Sequence, residues 1–266
     1  MSTPKIWCEF SDLVIPESLE ALPIRGELPE PEILSSIQFY VPPYMGDARA
    51  LETISKMSSL EVIQSPNAGV DDLLGILPSG VTLCNAKGVH DASTAELAIG
   101  LTISARRGLA TFMGNQSKGL WIHERRSALA DSRVGIVGVG SIGSLIARQL
   151  ELFNVEVIGF SRRGNNASKT MAEFDQLLPT LDVVILILPL NEQSHHLMNR
   201  ERIDSMKAGA TLINVARGPV VDTDALVDAL IRGHITAGLD VTDPEPLPLG
   251  HPLWSAPNVI ITPHVG

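Results

Sequence analysis

Three polar residues follow short apolar runs late in the chain, and their types suit the handling of a carboxylate and a proton. Arg217 comes after Leu212-Ile213-Asn214-Val215-Ala216, Glu245 after Leu239-Asp240-Val241, and His264 after Ile260-Ile261-Thr262-Pro263. A guanidinium presents planar, paired donors to a carboxylate. A histidine passes protons near neutral pH, and a carboxylate beside it favours its charged form. The fourth feature is Gly138-Val139-Gly140-Ser141-Ile142-Gly143. In a turn from strand to helix, Gly138 permits the tight bend, Gly140 lets a pyrophosphate approach the backbone, and Gly143 lets the helix pack closely. The amides and partial positive charge of the helix N-terminus then hold the phosphates. Singly, each feature has a plain reading: a turn arginine, a solvated glutamate among prolines, a late loop histidine, a glycine turn of an unrelated α/β fold. Ligands of open α/β sheets bind outside the carboxyl ends of the strands. If the strands here are parallel, all four features share one edge, and that convergence is the functional argument.

The elements that must position them are legible around the glycines. Val134-Gly135-Ile136-Val137 reads as a buried strand, and Ile142, Leu145, Ile146, Leu150 and Phe153 recur at helical spacing. Val155 to Phe160 reads as a second strand, so the glycines sit inside a complete βαβ unit. Further strands are predicted at Val183–Leu188, ended by Pro189, and at 210–216, 236–241 and 259–262. A helix over 224–231 is closed by Gly233. In the first hundred residues, strands are predicted at 6–10, 37–41, 60–64 and 81–84. A short helix is predicted near Glu17–Leu22, and another from Ala48 to about Met57, capped by Asp47, with Leu51 and Ile54 inward. Asn67-Ala68-Gly69-Val70-Asp71 is a turn. Ser93-Thr94-Ala95-Glu96 has the form of a capping box and opens a helix to about Arg107, where the chain crosses between domains. Residues 111–132, with Trp121 and His123, are either an arm against a second subunit or a loop at the cleft.

Bulk properties narrow the class. The chain has 266 residues, room for two ordinary domains. Its net charge of −10 argues against a general nucleic-acid binder. Cys8 and Cys84 are the only cysteines, too few for a disulfide scaffold or a cysteine-rich metal site, and they fit a reduced, cytoplasmic setting. No opening signal segment and no membrane-spanning run is read.

The motifs Ser93-Thr94-Ala95-Glu96, Gly138-x-Gly140-x-x-Gly143, Asn214-Val215-Ala216-Arg217-Gly218, Asp240-Val241-x-x-x-Glu245-Pro246 and Thr262-Pro263-His264 together resemble the D-isomer-specific 2-hydroxyacid dehydrogenase family, which contains glyoxylate/hydroxypyruvate reductases. The resemblance runs from about Asn67 to Gly266. It implies an α/β protein of two Rossmann-like or flavodoxin-like domains with parallel sheets, with cofactor and substrate in the cleft between them. Residues 1–92 are then the substrate domain and 93–266 the NAD(P)-binding domain. It implies that Arg217 binds the carboxylate of a 2-keto acid and polarises the keto oxygen, with the Ala68 and Gly69 amides on the same carboxylate. His264 protonates the oxygen, with Glu245 beside it. To the cofactor the resemblance assigns the glycine turn with Ser141 and Ile142, Pro189, Val215, Ala216, and Asp240 near the nicotinamide carboxamide. It also implies a homodimer.

Cofactor preference is read separately. NAD enzymes place an acidic residue at the end of the second strand to hold the ribose hydroxyls. Here that position reads Phe160-Ser161-Arg162-Arg163. Ser161 and Arg162 suit a 2′-phosphate, with Arg163 as a helper, so NADPH is expected to be preferred and NAD remains possible. No metal site is expected: the adjacent pair His195-His196 does not share a helix face. His90 and His123 read as loop residues, and Tyr44 and Met45 as a loop that touches the substrate's side chain or simply turns at the surface. Family members usually continue beyond the equivalent of Gly266, so the chain is expected to be truncated. The alternative to a reductase is an NAD(P)-sensing, non-catalytic binding protein on the same fold, like the family's corepressor members. A Rossmann dehydrogenase acting on amino acids is a third reading, which the Arg217, Glu245 and His264 motifs oppose.

Overall fold

Val183-Val184-Ile185-Leu186 carries no polar residue, the pattern of a parallel strand covered on both faces. A computed structural model shows such strands in two all-parallel sheets. It describes residues 3–8, 10, 14–22, 29–44, 52–165 and 168–266. The chain divides into two compact units, Met1–His90 and Asp91–Gly266.

The first unit holds β1 (Lys5–Cys8), β2 (Glu20–Leu22), α1 (Pro31–Ser35), β3 (Ile37–Val41), a 3-10 turn at Thr53–Lys56, β4 (Val62–Gln64), α2 (Asp71–Leu74) and β5 (Thr82–Cys84). The sheet order is β2-β1-β3-β4-β5. One face buries Trp7, Leu34, Ile37, Tyr40, Ile54, Met57 and Ile63, with Trp7 stacked on Tyr40 at 4.9 Å between ring centroids. The expected helix near Glu17–Leu22 is not there. Residues 17–18 turn, and Glu20–Leu22 becomes β2, pairing in parallel with β1 from Lys5↔Glu20 to Trp7↔Leu22. Pairing with a distant strand outweighs local helical spacing in so short a segment. Two short helices were not anticipated. One is α1, which Pro31 opens at a position where a missing N–H costs nothing; the other is α2. Asp47, Ala48 and Leu51 of the expected second helix, and Met45, lie outside the described residues; Ile54 is buried as expected.

The second unit opens with α3 (Asp91–Arg107) and α4 (Leu109–Ser117). α3 starts at Asp91, so Ser93 lies in its first turn and is not the capping residue. The sheet follows: β6 (Arg133–Val137), α5 (Ser141–Leu150), β7 (Glu156–Phe160), α6 (Met171–Leu177), β8 (Val183–Leu186), α7 (Arg200–Ser205), β9 (Thr211–Asn214), α8 (Thr223–Ile231), β10 (Thr236–Leu239) and β11 (Val259–Ile261). The spatial order is β11-β10-β9-β8-β6-β7, with every pair parallel. Alternation along the strands feeds two cores. Val183 and Ile185 pack with Val134, Ile136, Ile146 and Leu101 on one face. Val184 and Leu186 pack with Phe160, Phe174, Leu212 and Leu239 on the other. α8 is capped by Asp222, whose side chain accepts from the Ala225 amide. It ends as expected at Gly233 (φ +66°), where the Gly233 amide donates to Leu230 O and the His234 amide to Ala229 O. Among the described residues no helix is long and apolar enough to cross a membrane.

The chain leaves β6 for β7 on one side and then returns to β8 on the other. That places the turn after β6 at the sheet's topological switch point, where such folds bind ligands. The parallel pairing also puts the ends of β6, β7, β8, β9, β10 and β11 on a single edge.

Candidate active site at the carboxyl edge of the second sheet

The turn after β6 separates three glycines by what surrounds them. A Cβ on Gly138 would lie 2.1 Å from Ile187 O, and one on Gly143 would lie 1.9 Å from Gly138 O. Gly138 also has φ +106°, a conformation that favours glycine. A Cβ on Gly140, by contrast, would meet nothing within 4 Å. Gly140 caps α5, and the first amide bonded back into that helix is Ser144's, to Gly140 O at 3.0 Å. The amides of Ser141, Ile142 and Gly143 therefore face the open space beside Gly140 without helical acceptors. A space bounded by glycine and amides at the N-terminus of a ten-residue helix fits a dinucleotide pyrophosphate. The Ser141 hydroxyl is hydrogen-bonded to the carboxylate of Asp91, at the start of α3.

After β9, Asn214 is buried and folds its side chain back over the turn. Its Nδ2 donates to Arg217 O at 2.9 Å, and its Oδ1 accepts from the Ala216 amide at 3.1 Å. Val215 and Ala216 are buried along this turn. Arg217 Nη1 donates to Ala216 O at 2.8 Å. Gly218 is required by contact, because a Cβ there would lie 1.9 Å from Thr242 O. The loop after β9 and the loop carrying Glu245 thus meet backbone to backbone.

His264 lies across from that second loop, with Nδ1 2.6 Å from Glu245 Oε1. Burial works to raise the Glu245 carboxyl. The bond from His264, its charge, the Thr242 amide and the Arg217 charge outweigh burial and hold it below the usual carboxylate range. His264 has φ +55°, and its amide donates to Asp240 O at 2.8 Å. The structure therefore brings Arg217, Glu245 and His264 together on the strand-end edge. Asp240, only 3% exposed, accepts from Thr262 Oγ1 at 2.6 Å, from the Val265 amide at 3.0 Å and from the Gly266 amide at 3.0 Å.

At the end of β7, Ser161 Oγ lies 2.8 Å from Ser168 Oγ, and Arg162 Nη1 donates to Gln193 Oε1 at 3.3 Å. Arg162 and Arg163 are exposed, and no carboxylate stands among residues 160–163. After β8, Pro189 leads to Leu190, Asn191, Glu192 and His195, which line a hollow of about 420 Å³. His195 and His196 stack at 4.1 Å. In the first unit, the Ala68–Gly69 turn follows β4 and is braced by Asn85 Nδ2 donating to Ala68 O at 2.8 Å. The Ala68 and Gly69 amides make no hydrogen bond among the described residues. His90 is more than a plain loop residue: its Nε2 lies 2.9 Å from Pro66 O, and its ring stacks on Tyr44 at 5.4 Å. His123 is exposed. Asn214 and Thr262 were not singled out from the sequence. Their positions inside the quoted motifs were the available signal, but their bonds depend on loop backbone that spacing does not encode.

Known proteins place this arrangement. The model of the D-isomer specific 2-hydroxyacid dehydrogenase NAD-binding domain matches residues 99–266. The chain is 32% identical to a glyoxylate reductase of Thermofilum pendens over 97% of this chain and 79% of that protein. It is 35% identical to a human glyoxylate reductase/hydroxypyruvate reductase over 83% of this chain and 71% of that one. It superposes with a TM-score of 0.83 on the NADPH-dependent glyoxylate/hydroxypyruvate reductase of Sinorhizobium meliloti, solved with NADP and malonate, at 27% identity over 99% of this chain and 87% of that one. With this fold and these matches, the chain belongs to the D-isomer specific 2-hydroxyacid dehydrogenase family.

Proposed function

We propose that the chain reduces small 2-keto acids, of the glyoxylate and hydroxypyruvate class, to D-2-hydroxy acids, with NADPH preferred. The observation that carries the reading is the 2.6 Å pair of His264 and Glu245, on the same strand-end edge as Arg217 and the glycine turn. The turn Gly138–Gly143 would hold the dinucleotide, whose nicotinamide would supply a hydride for the keto carbon. Arg217 binds the substrate carboxylate and draws charge toward the keto oxygen. Glu245 engages His264 at Nδ1, which leaves Nε2 as the ring nitrogen that hands its proton to that oxygen. The Ala68 and Gly69 amides are assigned to the substrate carboxylate.

The preference for NADPH rests on Ser161, Arg162 and Arg163, where an NAD enzyme carries an acid. On this reading residues 1–92 are the substrate domain and 93–266 the cofactor domain, and the working form is a homodimer. The arm after α3 supports the dimer: Leu109, Met113, Leu120, Trp121 and Ile122 are all exposed there. Cys8 and Cys84 are both free thiols, which suits the cytoplasm.

The test is oxidation of NADPH, followed by absorbance, with glyoxylate, hydroxypyruvate, pyruvate and phenylpyruvate, and with NADH in parallel. Turnover is expected with NADPH and to fall by about 10²–10⁴-fold in His264→Ala. NADPH binding without turnover on any 2-keto acid would sink the reductase reading, and equal or tighter use of NADH would sink the cofactor preference.

A further inference from the structure

We propose that Asp240 is a positioning residue for His264, latching the segment 262–266 onto the end of β10. The inference rests on the reading of His264 as the proton donor. β11 is an edge strand of three residues, and its last ladder bond runs from the Thr262 amide to Leu239 O at 2.8 Å. Beyond it the chain has left the sheet, yet His264 must be held in a left-handed conformation at φ +55°. That region is uncommon for a non-glycine residue, though histidine enters it more readily than most, and at an edge the bonds around it fix where the ring stands. Here the holding is by Asp240. Its main-chain oxygen takes the His264 amide at 2.8 Å, and its carboxylate takes the Thr262 hydroxyl at 2.6 Å and the Val265 amide at 3.0 Å. Asp240 thus grips the residues on both sides of His264 and the histidine's own amide between them.

The chemistry of the latch is specific. All the groups that reach the Asp240 side chain are donors, and a carboxylate is acceptor-only on both oxygens. Asparagine has nearly the same shape, but its NH₂ must face a donor on one side: the Gly266 amide if its oxygen stays with the Thr262 hydroxyl and the Val265 amide, or those two if it is turned over. Thr262→Val removes the hydroxyl donor at constant shape, and Thr262→Ser keeps it. The reading differs from a direct cofactor contact by Asp240 in what it expects of each variant.

The experiment compares the full chain with Asp240→Asn, Thr262→Val and Thr262→Ser. It reads amide hydrogen exchange at Val265, the dissociation constant for NADPH, and kcat and KM with glyoxylate. In Asp240→Asn and Thr262→Val, exchange at Val265 is expected to rise about tenfold or more. In both, kcat falls by about 10-fold to 10²-fold while NADPH binding stays within about twofold. Thr262→Ser recovers most of both losses. Unchanged exchange in Thr262→Val overturns the latch, and this variant decides even if Asp240→Asn does not fold. Faster exchange with unchanged kcat overturns the positioning role. Weakened NADPH binding with unchanged exchange in Asp240→Asn assigns the residue to the cofactor instead. If the wild-type chain turns over no 2-keto acid, the reductase reading fails, while exchange at Val265 still decides the latch.

Discussion

At the scale of single residues, the side chains with the most distinctive chemistry were legible and those that hold them were not. Arg217, Glu245 and His264 are ionisable side chains that follow apolar runs, and the parallel sheet puts all three on one edge. Asn214 and Thr262 are ordinary polar residues in the sequence; only the folded turns reveal that one pins the Arg217 backbone and the other meets Asp240. Arg217→Lys is expected to lower kcat/KM for a 2-keto acid severely, because an ammonium is a point donor and cannot make two parallel bonds to a carboxylate. Retention of wild-type kcat/KM would remove Arg217 from the substrate. The glycines allow a sharper contrast. Gly143→Ala drives a methyl into Gly138 O and should destabilise the unit by at least about 1–3 kcal/mol. Gly140→Ala enters open space at an ordinary φ of −74° and should melt like the wild type while binding NADPH about tenfold or more weakly, since the added methyl stands where a phosphate must approach. Melting curves and cofactor titrations on the two variants check this, and an unchanged affinity in Gly140→Ala would move the pyrophosphate elsewhere.

Elements were legible in proportion to their length and burial. The strands of the second sheet are centred on apolar residues, and each was anticipated to within a residue or two. The short elements of the first unit were not. Glu20–Leu22 is a strand only because β1 offers it a partner, and α2 is a single turn. The start of α3 was misplaced because a capping-box pattern at Ser93 matched while the helix had already begun at Asp91. At the opposite edge from the site, Asp182 ties elements together. Its carboxylate takes the Arg133 amide at 2.9 Å and Lys207 Nζ at 2.7 Å, and its main-chain oxygen takes Arg106 Nη1 at 3.1 Å. Burial works to raise this carboxyl. The Arg133 amide, the Lys207 bond and charge and the Arg106 charge together overcome it and hold the group below the usual carboxylate range. A folded-state pKa below the unfolded one lends stability that is complete above the unfolded value, about 3.9, and is lost as pH falls through the folded value. Wild type should therefore melt above Asp182→Asn near neutral pH, and the gap should close as the pH drops below about 4. A gap independent of pH would show that the charge is not what matters.

At the scale of the whole molecule, the division into two units was legible from the βαβ unit and the strand pattern ahead of it. The role of residues 111–132 was not, because a polar, mixed segment carries no period. The structure makes Leu109–Ser117 a helix that buries none of its residues and leaves Trp121 99% exposed. A helix and arm that hold Leu109, Met113, Leu120, Trp121 and Ile122 exposed among polar residues suit a second copy of the chain. Sedimentation velocity should show a dimer for the wild type and a shift toward monomer for Trp121→Arg, with the melting of each unit little changed. A monomeric wild type would end the homodimer reading.

Gly138 and Gly143 answer to the chain's own backbone, whereas Gly140 answers to nothing inside the chain. A gene copy released from cofactor use must keep the first two glycines to go on folding and is free to drift at the third. A descendant with an intact Gly138 and Gly143 but a side chain at position 140 is then a fold that has outlived its ligand.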